Sequence, residues 1–290
     1  MGLTMPPELD LDFYRRANTD LHGFTDQQLA DHFVQFGLKE GRPGSEAATR
    51  EGLLRLVPAS GLILEIAPWF KPTVRGPRVR YFDIFEINEL RRRAKESGGN
   101  PADCPEVHYI SPVADLSIVP DKFSAIISSH VIEHQPDLVM HLNKVADLLE
   151  PRGLYFLMAP DKRYCFDHFI PTSTIADVLD AHIRRRIRHD PKNILEYRLM
   201  RTHNEPMRHW NGDHGTRLID ESSHIVREAL AEASRYDQEY IDCHAWRFTP
   251  DSFRNIIATL SSLKLTPMNP LRVYNSVLGT VEFTAILQKR

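Results

Sequence analysis

The chain has 290 residues, 42% hydrophobic and 26% charged, an ordinary composition that excludes a disordered or fibrous protein. Lys plus Arg is 36 against 39 acids, net −3, so no global basic field points to nucleic acid as a partner. At this length one large domain with additions is the simplest organisation.

Residues 1–45 read as a small helical unit. DLDFYRRAN offers one apolar face, and Thr25 with Gln28 forms a capping box ahead of LADHFVQFG, where Leu29, Phe33 and Phe36 recur at helical spacing. Gly37, Gly41, Pro43 and Gly44 are expected to stop that helix and form a linker. Two short helices bury little alone, so the unit must dock on the main body or on a partner. From Gly61 onward strands alternate with helices: GLILEIA, then VRYFDIF, then the helix NELRRRAKE with Asn88 as its N-cap. FSAIISSHV reads as a third strand, DLVMHLNKVADLLE as an amphipathic helix, and GLYFLMAP as the strand that follows. Residues 161–245 interrupt the pattern with two helical stretches around the irregular polar segment THNEPMRHWNGDHG. TPDSFRNIIATLSSLKL, N-capped by Thr249, is the last helix, and LRVYNSVLGTVEFTAILQK gives two strands joined by a turn. Such alternation predicts an α/β fold with an open, doubly wound, mostly parallel sheet that binds ligands at its strand C-termini. An insertion at that end has the position of a lid or substrate subdomain.

Three cysteines (Cys104, Cys165 and Cys243), far apart and in no metal-ligand spacing, fit a reducing, cytoplasmic compartment. No apolar run approaches the roughly 18–20 residues of a membrane span. Pro6 stands where a myristoylation signal takes Ser or Thr. The oligomeric state is open. Fourteen histidines are an excess, and ten of them lie between His130 and His224.

Glu65 closes a buried strand just before the chain turns, and Asp83, eighteen residues later, ends the next. That spacing suits an adenosine-type cofactor, with an acid accepting from the ribose hydroxyls. The block PDKFSAIISSHVIEHQPDLVMHLNKVADLLEPRGLYFLMAP resembles the middle of class I S-adenosylmethionine-dependent methyltransferases. With LEIAP, YFD and VEFTAILQK the resemblance runs from about Leu53 to Lys289, apart from the insertion. APDKRYCFDHFIPTSTIADVLDAH and the N-terminal YRRANTDL and HFVQFGLKEGR are similar to enzymes of bacterial glycan biosynthesis.

The resemblance implies a Rossmann-like, seven-stranded-type methyltransferase core over 46–290, preceded by the 1–45 module and carrying 161–245 as a lid. It implies S-adenosylmethionine as cofactor. Glu65, Ala67, Pro68 and Trp69 would form the cofactor loop, with Asp83 on the ribose, Asp115 near the adenine, and Ser129 and His130 at the methionine end. The family loop is glycine-rich, yet here Ala67 and Trp69 stand at or near the glycine positions. A non-glycine residue in the left-handed region costs about 1–2 kcal/mol, which a tight site tolerates. Trp69 must then wall the pocket, as an indole face beside a sulfonium can, or point away.

Methyl transfer from a sulfonium needs alignment and a base, and an imidazole suits that work at neutral pH. His134, one helical turn beyond the strand, is the first base, with His209 or His214 as second. His203, Asn204 and His214 in the polar segment, and Lys162, Arg163 and Tyr164 after the preceding strand, are expected to contact a sugar-type small-molecule substrate, the cations suiting an acidic or phosphorylated one such as a nucleotide-linked or uronic-type sugar. A divalent metal polarising a diol through His209, Asp213 and His214 is a secondary reading, and no metal ligand is assigned. The remaining alternatives are a metal-assisted enzyme built on His203–His214 and a methyltransferase-like fold that binds or scaffolds without catalysis.

Overall fold

The computed structural model describes residues 5–222 and 224–290. Asp10 caps α1 (Leu11–Ala17), and Thr25 with Gln28 forms the expected capping box at the head of α2 (Asp26–His32). Gly37 does not stop this helix. The chain continues through a wider turn over Phe33–Gly37 into α3 (Leu38–Glu40) and ends at Gly41, φ 67°. Gly37 is needed for space, because a Cβ there would stand 2.2 Å from the Tyr14 hydroxyl. Leu9, Tyr14, Leu21, Leu29 and Phe33 form an apolar cluster of their own. The Val273 amide and Arg254 donate to Glu8, and the Leu278 amide donates to the Gly41 carbonyl, so the unit docks on the main body.

Seven strands, β1 (Ile63–Ile66), β2 (Val79–Asp83), β3 (Tyr109–Ile110), β4 (Phe123–Ser129), β5 (Leu149–Pro160), β6 (Met268–Val273) and β7 (Glu282–Lys289), form one sheet. Their order is β3-β2-β1-β4-β5-β7-β6, with β7 antiparallel to both neighbours and the other pairings parallel. This is the expected doubly wound α/β fold. β3 escaped sequence reading because it has only two residues, neither of them buried. FSAIISSHV is therefore the fourth strand, not the third. Side chains alternate across the sheet: Ile63, Ala125, Ile127, Phe156 and Met158 pack on one face. Leu64, Ile66, Ile126, Tyr155 and Leu157 pack on the other. Chain order reverses between β1 and β4, so the ligand crevice of such a sheet lies beyond the C-termini of β1, β2 and β4.

Among the helices, α4 (Arg50–Leu54) precedes β1, and α5 (Ile87–Glu96) follows β2. Glu86, not Asn88, holds the N-cap position of α5, and Asn88 lies inside its first turn. α6 (Leu138–Leu148) follows β4, with Asp137 capping it. Among its described residues the 161–245 insertion carries five helices rather than two: α7 (Ile175–Ile183), α8 (Pro191–Met200), α9 (Pro206–Trp210), α10 (Leu218–Glu221) and α11 (His224–Ala233). α8 spreads its apolar residues around the axis and shows no stripe, and α9 is a single turn inside the segment expected to be irregular. α12 (Pro250–Ser262) begins at the Thr249 cap. No helix among the described residues is long and apolar enough to cross a membrane.

Candidate functional site

The loop after β1 keeps a glycine-type backbone without the glycines. Ala67 and Trp69 both lie in the left-handed region, φ 52° and 54°. Pro68 between them is buried, while Ala67 and Trp69 reach solvent, Trp69 with 38% of its surface. Its ring leans on Phe70 at 5.9 Å. The loop is held from below by Glu65, whose carboxylate accepts from the Thr73 amide at 2.7 Å and the Val74 amide at 3.2 Å. Burial raises the Glu65 pKa, and these bonds oppose the rise.

Asp83 ends β2 only 3% exposed. Its Oδ1 accepts from the Phe85 amide at 3.0 Å, and its Oδ2 is buried with no partner among the described residues. Burial pushes its pKa up to about 6. Asp115, half-buried, has a different environment: its carboxylate takes Lys144 Nζ at 2.5 Å and the Ser117 amide at 3.1 Å. The Lys144 bond holds its pKa down at about 2.

At the end of β4, Ser129 stands opposite Met158, and His130 follows with φ 55°. His130 Nε2 meets Glu282 at 2.8 Å, and its Nδ1 faces Glu133 Oε1 at 3.5 Å. Burial alone would lower the His130 pKa, but the Glu133 and Glu282 carboxylates override it and raise it to about 9. His134 is arranged alike, with Nδ1 on Asp242 at 2.9 Å and Nε2 3.9 Å from Glu133 Oε1. Its pKa is also raised, burial being outweighed by Asp242 and Glu133. His244 packs edge-on against His134, ring centroids 4.8 Å apart, and binds Asp167 through Nδ1. Glu133 lies at the centre, 1% exposed, with no hydrogen-bond partner on either carboxylate oxygen among the described residues. Burial would raise its pKa, but the surrounding imidazoles bring it below the ordinary value. Glu133, Asp167, Asp242, His244 and Glu282 were not singled out from sequence. Glu133 sits visibly inside HVIEH, whereas His244 lies 110 residues from His134 and carries no local signal.

The insertion brings His168, His203, His209 and His214 into a second group. His168 stacks on His214 at 3.6 Å and 12°, and His203 stacks on His209 at 4.1 Å. His209 Nδ1 meets His214 Nδ1 at 3.1 Å, and His209 Nε2 donates to the His203 carbonyl. Burial lowers the His209 pKa to about 4 and also lowers that of His168. His203 has both nitrogens engaged, on the Asp213 carbonyl and the Glu205 amide. Asn204 Oδ1 accepts from the Phe166 amide, and the Phe166 ring lies 4.9 Å from that of His244, linking the two histidine groups.

The residues after β5 turn inward. Arg163 forms a fork on the fully buried Asp161, Lys162 Nζ donates to the His168 carbonyl at 2.7 Å, and Tyr164 stacks on Trp210 at 3.7 Å. A groove of about 380 Å³ between Arg75, Gly76, Val79, Cys104 and His108 opens at the other end of β2 and shares no residue with either histidine group.

No protein-family model matches the chain, and no curated protein matches it. Among solved structures it is similar to the glycopeptide N-methyltransferase MtfA at 21% identity and a TM-score of 0.28. That alignment takes 40% of this chain and 53% of MtfA, so the chain spans about half the length of that protein. It is also similar to the PH0226 protein from Pyrococcus horikoshii OT3, at 15% identity over 90% of this chain and 99% of that one, TM-score 0.41. A putative S-adenosylmethionine-dependent methyltransferase from Listeria monocytogenes matches at 12% identity over 85% of this chain and 100% of its own, TM-score 0.41. These likenesses are distant, and the fold rests on the strand order itself.

Proposed function

We propose that the chain is an S-adenosylmethionine-dependent methyltransferase acting on a hydroxyl, or next an amine, of a sugar or related polar small molecule. The observation that carries this reading is the buried Asp83 Oδ2, an acceptor without a donor among the described residues, at the end of β2. Leaving such a group unpaired costs about 1–3 kcal/mol, and a ribose diol supplies the missing donors. The left-handed Ala67 and Trp69 support the same reading, since that backbone lets main-chain amides approach a ligand at the end of β1. When bound, the sulfonium supplies an already activated methyl group.

The protein's share is then alignment and the handling of one proton. In this reading His134 accepts the acceptor's proton at Nε2. Asp242 fixes the ring through Nδ1, and the Glu133 carboxylate stabilises the imidazolium that results. His209 suits this role less well, because its low pKa makes it a weak base and both its nitrogens are engaged. Residues 161–245 act as the lid. Lys162 Nζ and the Nε–Nη2 edge of Arg163 have internal partners, so the lid's clearest free contacts to the acceptor are the Asn204 amide nitrogen and His214 Nε2. Neither atom has a partner among the described residues.

Calorimetry and thermal shift with S-adenosylmethionine and S-adenosylhomocysteine test the reading. Wild type should bind both, and Asp83→Asn should weaken binding about 10- to 100-fold, the worth of a charge-assisted bond. No heat and no thermal shift at millimolar cofactor would end it.

A further inference from the structure

We propose that Glu133, His134 and His244 form a two-histidine, one-carboxylate site for a divalent transition metal such as Mn²⁺, Fe²⁺, Co²⁺ or Zn²⁺. One ligand atom from each residue lies within 4.8 Å of the other two. Ligand atoms about 2.0–2.2 Å from one ion stand roughly 3.3–3.6 Å apart, so the set must close in from its present spacing, in which His134 Nε2 lies 3.9 Å from Glu133 Oε1. The chemistry of the set is specific. Glu133 is 1% exposed and has no hydrogen-bond partner on either oxygen among the described residues, a state a dication relieves. His134 and His244 each commit Nδ1 to a carboxylate, Asp242 and Asp167, which leaves Nε2 as the ligating nitrogen. A carboxylate on the outer nitrogen is the arrangement that orients metal-bound imidazoles and raises their basicity. His130 repeats it, with Nε2 on Glu282 and Nδ1 towards Glu133. Four carboxylates thus gather around the three rings, and among the described residues Arg50, paired with Glu282, is the one permanent cation bound to them.

His168, His209 and His214 also lie within 4.8 Å of one another, but their geometry argues against a shared ion. Imidazole lone pairs lie in the ring plane. Rings stacked at 3.6 Å and 12°, as His168 and His214 are, aim theirs side by side rather than at one point. Their hydrogen bonds run to backbone carbonyls and to one another, with no carboxylate in the set.

Three protein ligands leave an ion positions open to oxygen ligands, water or the hydroxyls of a polyol. That these positions receive the acceptor rests on the methyltransferase reading, and an ion there would occupy the His134 Nε2 lone pair, so that the ion, by acidifying a bound hydroxyl, and not His134 would ease the acceptor's proton. That the three residues bind a metal does not rest on that reading. The test uses the full chain stripped with chelator and titrated with Co²⁺ without any methyl donor, read by calorimetry and by visible absorption. Wild type should take up one equivalent and develop d–d bands. Glu133→Gln and His244→Gln should abolish them, as should His134→Gln at the more exposed ligand. Asp167→Asn should weaken binding about 10- to 100-fold. His209→Ala should leave the bands unchanged. Absence of heat and bands in wild type at millimolar Co²⁺ overturns the site. So does survival of the bands in the three ligand variants, or their loss in His209→Ala. Donor binding, measured separately on the same protein, reports on the methyltransferase reading independently.

Discussion

Two groups of histidines are linked through Phe166, whose ring lies against His244 and whose amide donates to Asn204, and they are built on opposite principles. In the first, His130, His134 and His244 each hold a carboxylate on the outer nitrogen and surround a buried fourth, Glu133. In the second, His168, His203, His209 and His214 hold one another by stacking and by bonds to backbone groups. The pKa shifts divide the same way, upward at His130 and His134 and downward at His168 and His209. An excess of one residue type therefore does not imply one job. Carboxylate partners make an imidazole fit to hold a proton or a cation, whereas neutral partners in a dry environment make it a flat, hydrogen-bonding structural block.

The largest expected effect separates the groups by activity. Glu133→Gln keeps the shape of the side chain but removes the charge that the first group shares, and should cost about 10²- to 10⁴-fold in the rate of methyl transfer. Donor affinity should change far less, since Asp83 and the β1 loop are untouched and only the Glu133 contact to His130 is altered. Assays of kcat and of donor Kd check both halves, and a variant that turns over normally breaks the comparison.

Acid should then loosen the second group. With a folded pKa of about 4 against 6.5 for the free side chain, His209 stays neutral when folded, while the unfolded chain takes up its proton. Its contribution is present above pH 6.5 and is lost as pH falls toward 4, by about 3 kcal/mol at most. Urea unfolding of wild type and His209→Asn across that range should show the stability gap shrinking as pH drops. A gap independent of pH would mean that the ring is not held neutral. Smaller again is Trp210→Ala, which removes the stack on Tyr164 and the indole bond to the Thr280 carbonyl. A loss of about 2 kcal/mol is expected for a partly buried ring, with donor affinity unchanged. Loss of donor binding in that variant would show that the insertion also shapes the cofactor crevice.

The strands on either side of the switch point were legible because burial on both faces writes a continuous apolar run, as in GLILEIA and FSAIISSHV. β3 was not, having too few residues to show any period. Gly37 misled as a stop signal because its role is packing against Tyr14, a contact between residues far apart in sequence. The acids at strand ends could be named one at a time, but not what each would find there. Asp115 meets Lys144, Glu65 meets its own loop, and Asp83 keeps an oxygen free. The first histidine group was half visible, since His130, Glu133 and His134 share one turn of chain, whereas His244, Asp167 and Asp242 arrive through the fold of the insertion. For Lys162 and Arg163, sequence does not show that Arg163 folds back on the buried Asp161 or that Lys162 reaches the His168 carbonyl.

Asp83 gives the smallest effect and the plainest test of what an unmatched acid means. Its folded pKa of about 6 exceeds that of a free carboxyl, so the folded state favours the protonated form. The ionised group therefore destabilises the fold, a cost that begins as pH rises above the unfolded value of 3.8 and is complete above about 6. Asn at this position carries no charge and can still accept from the Phe85 amide through Oδ1. Asp83→Asn should thus gain about 1 kcal/mol at pH 7.5, the burial penalty less the cost of a buried amide nitrogen without an acceptor, and gain nothing near pH 4. Thermal unfolding at the two pH values measures the difference. A carboxylate that costs stability with no ligand bound, while those around the first histidine group are matched to imidazoles, is the sign of a position kept for a ligand. Equal stability of wild type and Asp83→Asn at pH 7.5 would remove that sign.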